Sequence, residues 1–140
     1  MTIGKPPDGL DPRLRVSMAT WTPDELDRIG GAEELTLACV RADATLRPPV
    51  TMWVVRIGDE IYVRSVNGRG SSWFRGVEAR HEARIASGGV ERDVTVVETD
   101  AANDAVDAAY TEKYGRRYKA IVPSMLTAQA RAATVRLEPR

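Results

Sequence analysis

The sequence predicts a mainly β fold with flanking helices, in which about six mostly antiparallel strands form a closed or partly closed barrel. Two hairpin patterns support this prediction, because Gly58-Asp59 and Gly88-Gly89 each supply a two-residue turn between apolar-rich segments. One further strand pattern precedes these hairpins and another follows them. A helical pattern separates the last strand from the second hairpin, so the chain has both the strands and the covering helices that a small barrel needs.

Residues 1–20 are predicted to form a flexible or extended arm, since they are rich in proline and glycine and show no apolar periodicity. They also lack the apolar segment of a secretory signal peptide. Residues 21–140 are therefore predicted to form one domain, which begins with a helix. Thr22-Pro23-Asp24-Glu25 has the pattern of a capping box with proline at the first helical position, and Gly30-Gly31 is expected to end that helix.

The next three segments read as strands. Residues 35–40 alternate Leu35, Leu37 and Cys39 with smaller or polar side chains, which predicts a buried first strand. Residues 50–57 and 60–66 are predicted to form the first hairpin.

The register of this first hairpin places two pairs on one face of the sheet. Val55 is predicted to lie opposite Tyr62, and Trp53 opposite Arg64. Trp53 and Arg64 are then expected either to form a cation–π pair, or to serve a ligand, with Arg64 on a phosphate and Trp53 beside a ring. A third interpretation is a tryptophan that packs against the sheet beside a solvent-reaching arginine.

The second half of the chain continues in the same style. Residues 82–99 are predicted to form the second hairpin, with Arg84 opposite Asp93. Asp100 is predicted to cap a helix that Gly115 ends. The remaining elements are a short helix over residues 123–130 and a final strand in which Ala133, Val135 and Leu137 alternate.

Composition limits the classes of partner. The 140 residues carry 20 basic and 20 acidic side chains, so no excess charge favours nucleic acid or an anionic membrane. No apolar run is long enough to span a bilayer. The single cysteine, Cys39, rules out an intrachain disulfide and fits a cytoplasmic protein. These observations leave a small-molecule ligand as the expected partner, without nucleic acid or membrane.

The segment from residue 61 to residue 76 is the strongest candidate for a binding site. A strand with an arginine and a serine enters a glycine-rich turn, and two serines then open a helix. Free backbone N–H groups, a helix N-terminus and guanidinium groups at one place are how proteins hold a phosphate. The predicted cofactor-binding residues are Arg47, Trp53, Arg64, Ser65, Asn67, Gly68, Arg69, Gly70, Ser71, Ser72 and Trp73.

Each of these residues also has an ordinary structural interpretation. The turn is then a simple strand-to-helix connection with a solvated arginine, Arg47 is a loop charge, and Trp73 packs in the core. His81 has no partner constellation, and one histidine with one cysteine gives no zinc site. No spacing of serine, histidine and an acid supports a hydrolase, so catalytic residues and a metal site are not predicted.

Several motifs together resemble an uncharacterised bacterial family of the FMN-binding split-barrel clan. The similar stretch runs from Trp21 to Arg140, and the motifs that carry it are Trp21-Thr22-Pro23-Asp24-Glu25-Leu26, Tyr62-Val63-Arg64-Ser65-Val66-Asn67-Gly68-Arg69, Trp73-x-Arg75-Gly76, Gly88-Gly89-Val90-Glu91-Arg92-Asp93-Val94 and Ala133-Thr134-Val135-Arg136-Leu137. The middle of the chain is more distantly similar to deazaflavin-dependent nitroreductase-type proteins.

This resemblance implies a six-stranded antiparallel split β-barrel, a homodimer with sites at its interface, and FMN or a deazaflavin as cofactor. It also implies that Ser65, Gly68, Gly70 and Trp73 contribute to the phosphate site. In one respect the sequence departs from those reductases, because residues 44–49 contain no glycine and a single basic residue where the relatives have a glycine-basic-serine-glycine stretch.

The expected function is therefore a flavin- or deazaflavin-dependent oxidoreductase that acts on a small organic molecule, with the cofactor phosphate at residues 64–73. The departure before the second strand favours an alternative, a cofactor-free protein that uses the barrel pocket to bind or shape a small molecule. A haem-binding protein ranks last, because His81 is the one obvious axial ligand.

Overall fold

The computed structural model describes residues 20–140, so the predicted N-terminal arm lies outside the described residues except for Thr20. The strands are β1 Leu35–Cys39, β2 Val50–Met52, β3 Val55–Ile57, β4 Glu60–Arg64, β5 Glu82–Ser87, β6 Val90–Glu98 and β7 Thr134–Pro139. The helices are α1 Pro23–Gly31, α2 Ser72–Arg80, α3 Asn103–Tyr114 and α4 Ala128–Arg131, with 3₁₀ turns at Gly68–Gly70 and Val122–Met125.

The strands form one antiparallel sheet in the order β2-β1-β5-β6-β7-β4-β3. Its two edge strands, β2 and β3, are consecutive in sequence and are joined only by Trp53 and Val54. The sheet therefore curls until its edges approach each other, which gives a half-barrel with helices around it. The prediction of a mainly β, antiparallel split barrel with flanking helices is confirmed.

The predicted count of six strands is wrong, because the predicted strand at residues 50–57 is two strands on opposite edges of the sheet. At the break, Tyr114 Oη lies 3.1 Å from both the N and the O of Val54, and Lys113 Nζ donates to the same oxygen at 2.7 Å. These side chains bond the backbone N–H and C=O of Val54, which have left both ladders. The predicted opposition of Trp53 and Arg64 fails with the strand, since Arg64 pairs instead with Thr134 of β7.

Both predicted hairpins are present. Val55 lies opposite Tyr62 in the first, and Arg84 lies opposite Asp93 in the second, where the two side chains form an ion pair at 3.0 Å. The second turn also carries a packing requirement. A Cβ added to Gly88, which has a positive φ of 59°, would lie 2.3 Å from the carbonyl oxygen of Arg28 in α1.

The helix termini follow the sequence signals only in part. The capping box of α1 is confirmed, with Thr22 and Glu25 bonded reciprocally. Gly115 caps the C-terminus of α3 as predicted, but the helix begins at Asn103, and Asp100 does not cap it. The single helix predicted over residues 123–130 is instead a 3₁₀ turn followed by the short α4.

Two apolar clusters hold these elements together. The barrel core includes Trp21, Leu35, Leu37, Ile61, Val63, Trp73, Phe74, Ile85, Val96 and Leu137. A second cluster joins α3 to the outer face of β3 and β4 and includes Val55, Tyr62, Val106, Tyr110, Tyr114, Val122 and Met125. Across residues 20–140, the helices are all too short or too polar to cross a membrane.

Candidate functional site: an arginine-lined cleft

A cleft of about 500 Å³ lies between α2 and the loop that follows β1. Among the described residues, four arginines and a serine supply its polar lining, and no aspartate or glutamate of that part of the chain lines it. The residues that line it are Val40, Arg41, Ala42, Arg47, Ser72, Arg75, Gly76, Ala79 and Arg80. We refer to this feature as the arginine cleft. Its charge makes it an attractive place for an anion.

The sequence of α2 explains why one side of this helix faces the cleft. Trp73, Phe74 and Val77 are buried in the barrel core on the other side. The cleft side is formed by positions i, i+3, i+4, i+7 and i+8, counted from Ser72, which share one face of an α-helix. Ser71 caps the helix, with its hydroxyl accepting from the backbone N–H of Phe74 at 3.4 Å.

Gly76 allows α2 to lie directly on β1 beneath the cleft. A Cβ at this position would lie 3.0 Å from the sulfur of Cys39, whose thiol in turn donates to the carbonyl of Trp73 at 3.3 Å. Burial raises the pKa of the Cys39 thiol, and the nearby charge of Arg47 opposes that rise only in part. The thiol is therefore a packing group under the cleft.

The loop after β1 fixes the other wall. A bridge between Val40 and Leu46 closes it, and Arg41 donates to the carbonyl of Leu46 at 2.8 Å. The carboxylate of Asp43, the only acidic group in the loop, accepts from both the N–H and the hydroxyl of Thr45. These hydrogen bonds lower the pKa of Asp43 and keep its charge on Thr45, outside the cleft lining.

Within residues 20–140, three of the four cleft arginines form no ion pair with a carboxylate and no side-chain hydrogen bond: Arg47, Arg75 and Arg80. Arg41 uses two of its donors on the loop itself. Guanidinium groups that have no partner among residues 20–140 are suited to bind a phosphate, and Arg47 and Arg75 lie in the same cleft as the N-terminus of α2.

Arg64 is placed quite differently from the sequence expectation. It is only 1% exposed, and its guanidinium lies 5.8 Å from the ring centroid of Tyr110. Its five N–H groups bond to the side chain of Thr134, the side chain of Asp107, the carbonyl of Met125 and two oxygens of Asn103. No donor of Arg64 remains for a ligand, so its role in this structure is to tie α3 to the barrel.

The turn after Arg64 is also largely satisfied by the protein. Ser65 is buried and shares a hydrogen bond of 2.7 Å with the hydroxyl of Ser71. Gly68 has a φ of 80°, a backbone conformation that favours glycine, and a Cβ there would lie 2.5 Å from Cγ of the exposed Gln129 side chain, which would have to shift. Asn67 and Gly70 are exposed at the turn.

Arg69 pairs with two carboxylates rather than lining the cleft. It forms salt bridges with Glu78 and, at 2.8 Å, with Glu98, and its guanidinium lies 5.0 Å from the ring centroid of Phe74. The hydrogen bond to Glu98 is the main cause that raises the pKa of Arg69; burial opposes the rise, and the charge of Glu78 adds to it. The arginine therefore braces the turn against α2 and β6.

The two predicted ring-pocket residues lie apart. Trp73 is 9% exposed in the barrel core, where it meets Phe74 edge to face. Trp53 stacks on Tyr114 at 4.0 Å between ring centroids, in the second cluster. Of the eleven predicted residues, the structure brings Arg47 and Ser72 together in the cleft.

Sequence reasoning missed Arg41, Arg75, Gly76 and Arg80. The three that lie on α2 carry a signal that the sequence contains, because they share the helical spacing of Ser72. Arg41 has no such signal, since the fold alone brings its loop to the helix. His81 is exposed at the end of α2 with a φ of 59°. In the described part of the chain, no three His, Cys, Asp or Glu side chains cluster closely enough to hold a metal ion.

Comparison with known families adds an identification. Residues 25–137 match a family described as "uncharacterized protein conserved in bacteria (DUF2255)". The chain belongs to this family. A comparison with curated proteins gives no match.

Solved structures share the fold of this DUF2255 chain at low sequence identity. The heme storage protein HutZ of Vibrio cholerae has a TM-score of 0.59 at 14% identity, covering 84% of this chain and 89% of its own. A conserved hypothetical protein of Mycobacterium tuberculosis has a TM-score of 0.54 at 17% identity, over 87% and 82%. A FAD-binding protein of Mesorhizobium loti also has a TM-score of 0.54, at 13% identity, over 86% and 91%. At these identities, the similarity establishes the fold.

Proposed function

We propose that this chain binds a flavin-type cofactor, FMN or a deazaflavin, and acts as an oxidoreductase on a small organic molecule. The observation that carries the proposal is the arginine cleft, to which residues 20–140 contribute four guanidinium groups and a helix N-terminus but no carboxylate. Two proteins of the same fold are described as FAD-binding and as a heme storage protein, which agrees with a cofactor-binding role.

The phosphate is assigned to the end of the cleft where α2 begins. Ser72 is the first residue of that helix and lines the cleft, and the helix dipole favours negative charge at this end of the helix. Arg47 and Arg75 lie beside it in the same cleft and have donors to spare among residues 20–140. Bidentate arginine contacts are the strongest protein bonds to phosphate.

This placement changes which residues contact the phosphate, but the proposed site stays next to the predicted segment 64–73. Ser72 stays in the site, and Arg47 becomes its principal cation. Ser65 and Arg69 act behind it, because their hydrogen bonds to Ser71 and Glu78 fix the turn that precedes α2. Arg64 is set apart from the phosphate, since its hydrogen bonds tie α3 to the barrel. Asn67 and Gly70, both exposed, remain proposed contacts at the rim of the turn, and Gly68 and Ser71 shape its backbone.

The chain's contribution to the reaction is binding and orientation. A bound flavin or deazaflavin would supply hydride transfer, and the cleft would fix its phosphate end. No side chain near the cleft is assigned as an acid or base.

We propose that a homodimer completes the ring pocket, because Trp53 and Trp73 do not enclose one space within a single chain. Leu46 and Val50 are apolar side chains on either side of Arg47 in sequence, and they are 44% and 37% exposed. We assign them to contacts with the second protomer. Sedimentation at low micromolar concentration should give a dimer, which Leu46→Glu should weaken. A species of 15 kDa for the unmodified chain would contradict the dimer.

A cofactor-free binding protein is the second candidate. It is favoured by the internal saturation of Arg64, whose five N–H groups all bond to the protein. In that case the barrel would keep its buried arginine for stability alone, and the cleft would hold a small anion or none.

The experiment that separates the two candidates is an absorption spectrum of the purified protein, followed by titration with FMN, FAD, a deazaflavin and haem. Micromolar binding of a flavin or deazaflavin supports the proposal. A colourless protein that binds none of the four contradicts it and favours the cofactor-free candidate.

A further inference from the structure

The basic face of α2 is longer than one phosphate needs. Ser72 and Arg80 both line the arginine cleft and lie eight residues apart in the helix. At 1.5 Å of rise per residue this separation is about 12 Å along the axis, whereas one helical turn, about 5.4 Å, is enough for a single bound phosphate. Two turns of the helix, with Arg75 between the ends, therefore face the cleft beyond the N-terminal position.

These arginines also lack partners inside their own helix. The only acidic residue of α2 is Glu78, and its carboxylate is already bound by Arg69. Neither Arg75 nor Arg80 has an aspartate or glutamate four residues away in either direction, and the one carboxylate three residues away, that of Glu78 after Arg75, is the one bound by Arg69.

We propose that the flavin-type ligand of the arginine cleft carries two linked phosphate groups, as FAD does, so that FMN, with one phosphate, binds the same cleft more weakly, and that Arg80 with Arg75 binds the second phosphate. This inference rests on the proposed function, because it takes the first phosphate to lie at Ser72 and Arg47. The second phosphate and the group that follows it would extend along α2 toward its C-terminus.

The helix dipole alone does not explain this arrangement. A cation at the C-terminus of a helix is favoured by the dipole, which would account for Arg80 as an isolated residue. Arg75 lies in the middle of α2, where the dipole gives no such preference. The loop opposite adds Arg41, whose guanidinium is fixed by the carbonyl of Leu46 and so is held in the cleft. The cations line both walls rather than one helix end.

The test compares FMN with FAD by isothermal titration calorimetry, using the full chain and four single substitutions. FAD has the second phosphate that FMN lacks, so we expect FAD to bind the unmodified chain about tenfold more tightly or better. Arg80→Gln should remove that advantage, weakening FAD about tenfold and FMN less than twofold. Arg47→Gln should weaken both ligands. Arg116→Gln, an exposed arginine outside the cleft, is the matched control and should change neither.

The outcomes separate this inference from the function on which it rests. If Arg47→Gln weakens both ligands but FMN and FAD bind equally, the inference is wrong and the phosphate site stands. If FAD binds more tightly but keeps its advantage in Arg80→Gln, the extra affinity comes from the adenosine, and the inference is again wrong. If Arg47→Gln affects neither ligand, or neither ligand binds, the proposed function fails as well. Arg80→Lys, which keeps the charge but loses the planar fork, should restore only part of the FAD affinity.

Discussion

Replacing Arg64 by methionine should destabilise this protein strongly, although the sequence places Arg64 in a ligand site. Its guanidinium is buried and donates to Asp107, Thr134, Met125 and Asn103, which belong to α3, β7 and the segment between them. Methionine has similar length but no donor. The substitution therefore removes a hydrogen-bond donor from the backbone carbonyls of Met125 and Asn103 and from the carboxylate of Asp107.

The expected loss follows from the cost of removing one member of a buried ion pair, which is about 3–5 kcal/mol. Asp107 is 23% exposed and keeps its salt bridge to Arg131, which limits the cost at the carboxylate. The carbonyls of Met125 and Asn103 add a desolvation cost of their own. At roughly 3 °C per kcal/mol for a chain of this size, a loss in this range lowers the Tm by about 10–15 °C.

Urea denaturation followed by circular dichroism measures the free energy of unfolding directly. Arg117→Met is the matched control, since Arg117 pairs with Glu33 at the surface with 74% and 43% of the side chains exposed. That pair should contribute less than about 1 kcal/mol. If Arg64→Met costs no more than the control, the buried network is not a stabilising one and the reasoning is refuted.

Three other predictions concern glycine, pH and the aromatic stack. Gly68→Ala should lower the free energy of unfolding by about 1–3 kcal/mol, because φ is 80° and the new methyl would meet Gln129. Gly70→Ala, whose new methyl would have nothing within 4 Å, should lower it by less than about 1 kcal/mol. Equal losses for the two variants in urea denaturation would contradict this prediction. Burial lowers the pKa of Lys113 from 10.5 to about 8, so folding disfavours the charged amine, and the free energy of unfolding should rise as pH increases from about 8 toward 10. Lys113→Met should flatten this rise. An unchanged slope of stability against pH in that variant would contradict the prediction. Above pH 10 the trend should reverse, because burial raises the pKa of Tyr114 to about 12 and the folded state then holds a proton that the unfolded chain loses. Trp53→Ala should destabilise the protein by about 1–3 kcal/mol, because the stacking of Trp53 on Tyr114 is lost. The near-ultraviolet circular dichroism signal of the stacked pair should be lost as well. A substitution without effect on stability would show that the stack contributes little.

The sequence was sufficient for those elements that local chemistry decides. The capping box at Thr22 and Glu25, the two-residue turns, and the pairing of Val55 with Tyr62 all depend on residues close to one another in the chain. The first strand was found because its alternation of Leu35, Leu37 and Cys39 continues for the whole element.

The break between β2 and β3 could not be found in this way. Residues 50–57 form one unbroken apolar-rich pattern, and the signal that divides it comes from Tyr114 and Lys113, about sixty residues later, which satisfy the peptide of Val54. A contact between residues this far apart in sequence forms only in the folded chain, so no local pattern reveals it.

In the candidate site, too, local patterns indicate some residues, whereas tertiary packing decides the role of others. Ser72 was predicted from its place at a helix N-terminus, and Arg75 and Arg80 share its helical spacing. Arg64 was misread because an arginine beside a glycine-rich turn looks free in sequence, while the oxygens that occupy it come from α3, the 3₁₀ turn and β7. Which arginine is free and which is buried is decided by tertiary packing.

The central claim is that the arginine cleft holds a cofactor phosphate, and the most direct measurement is the dissociation constant of FMN for paired double variants. Arg47→Gln/Arg75→Gln removes two cleft charges, and Arg116→Gln/Arg117→Gln removes two charges elsewhere on the surface. We predict at least a tenfold weaker affinity for the first pair, with little change in Tm, and nearly unchanged affinity for the second. Equal effects of the two pairs, or no effect of either, would contradict it.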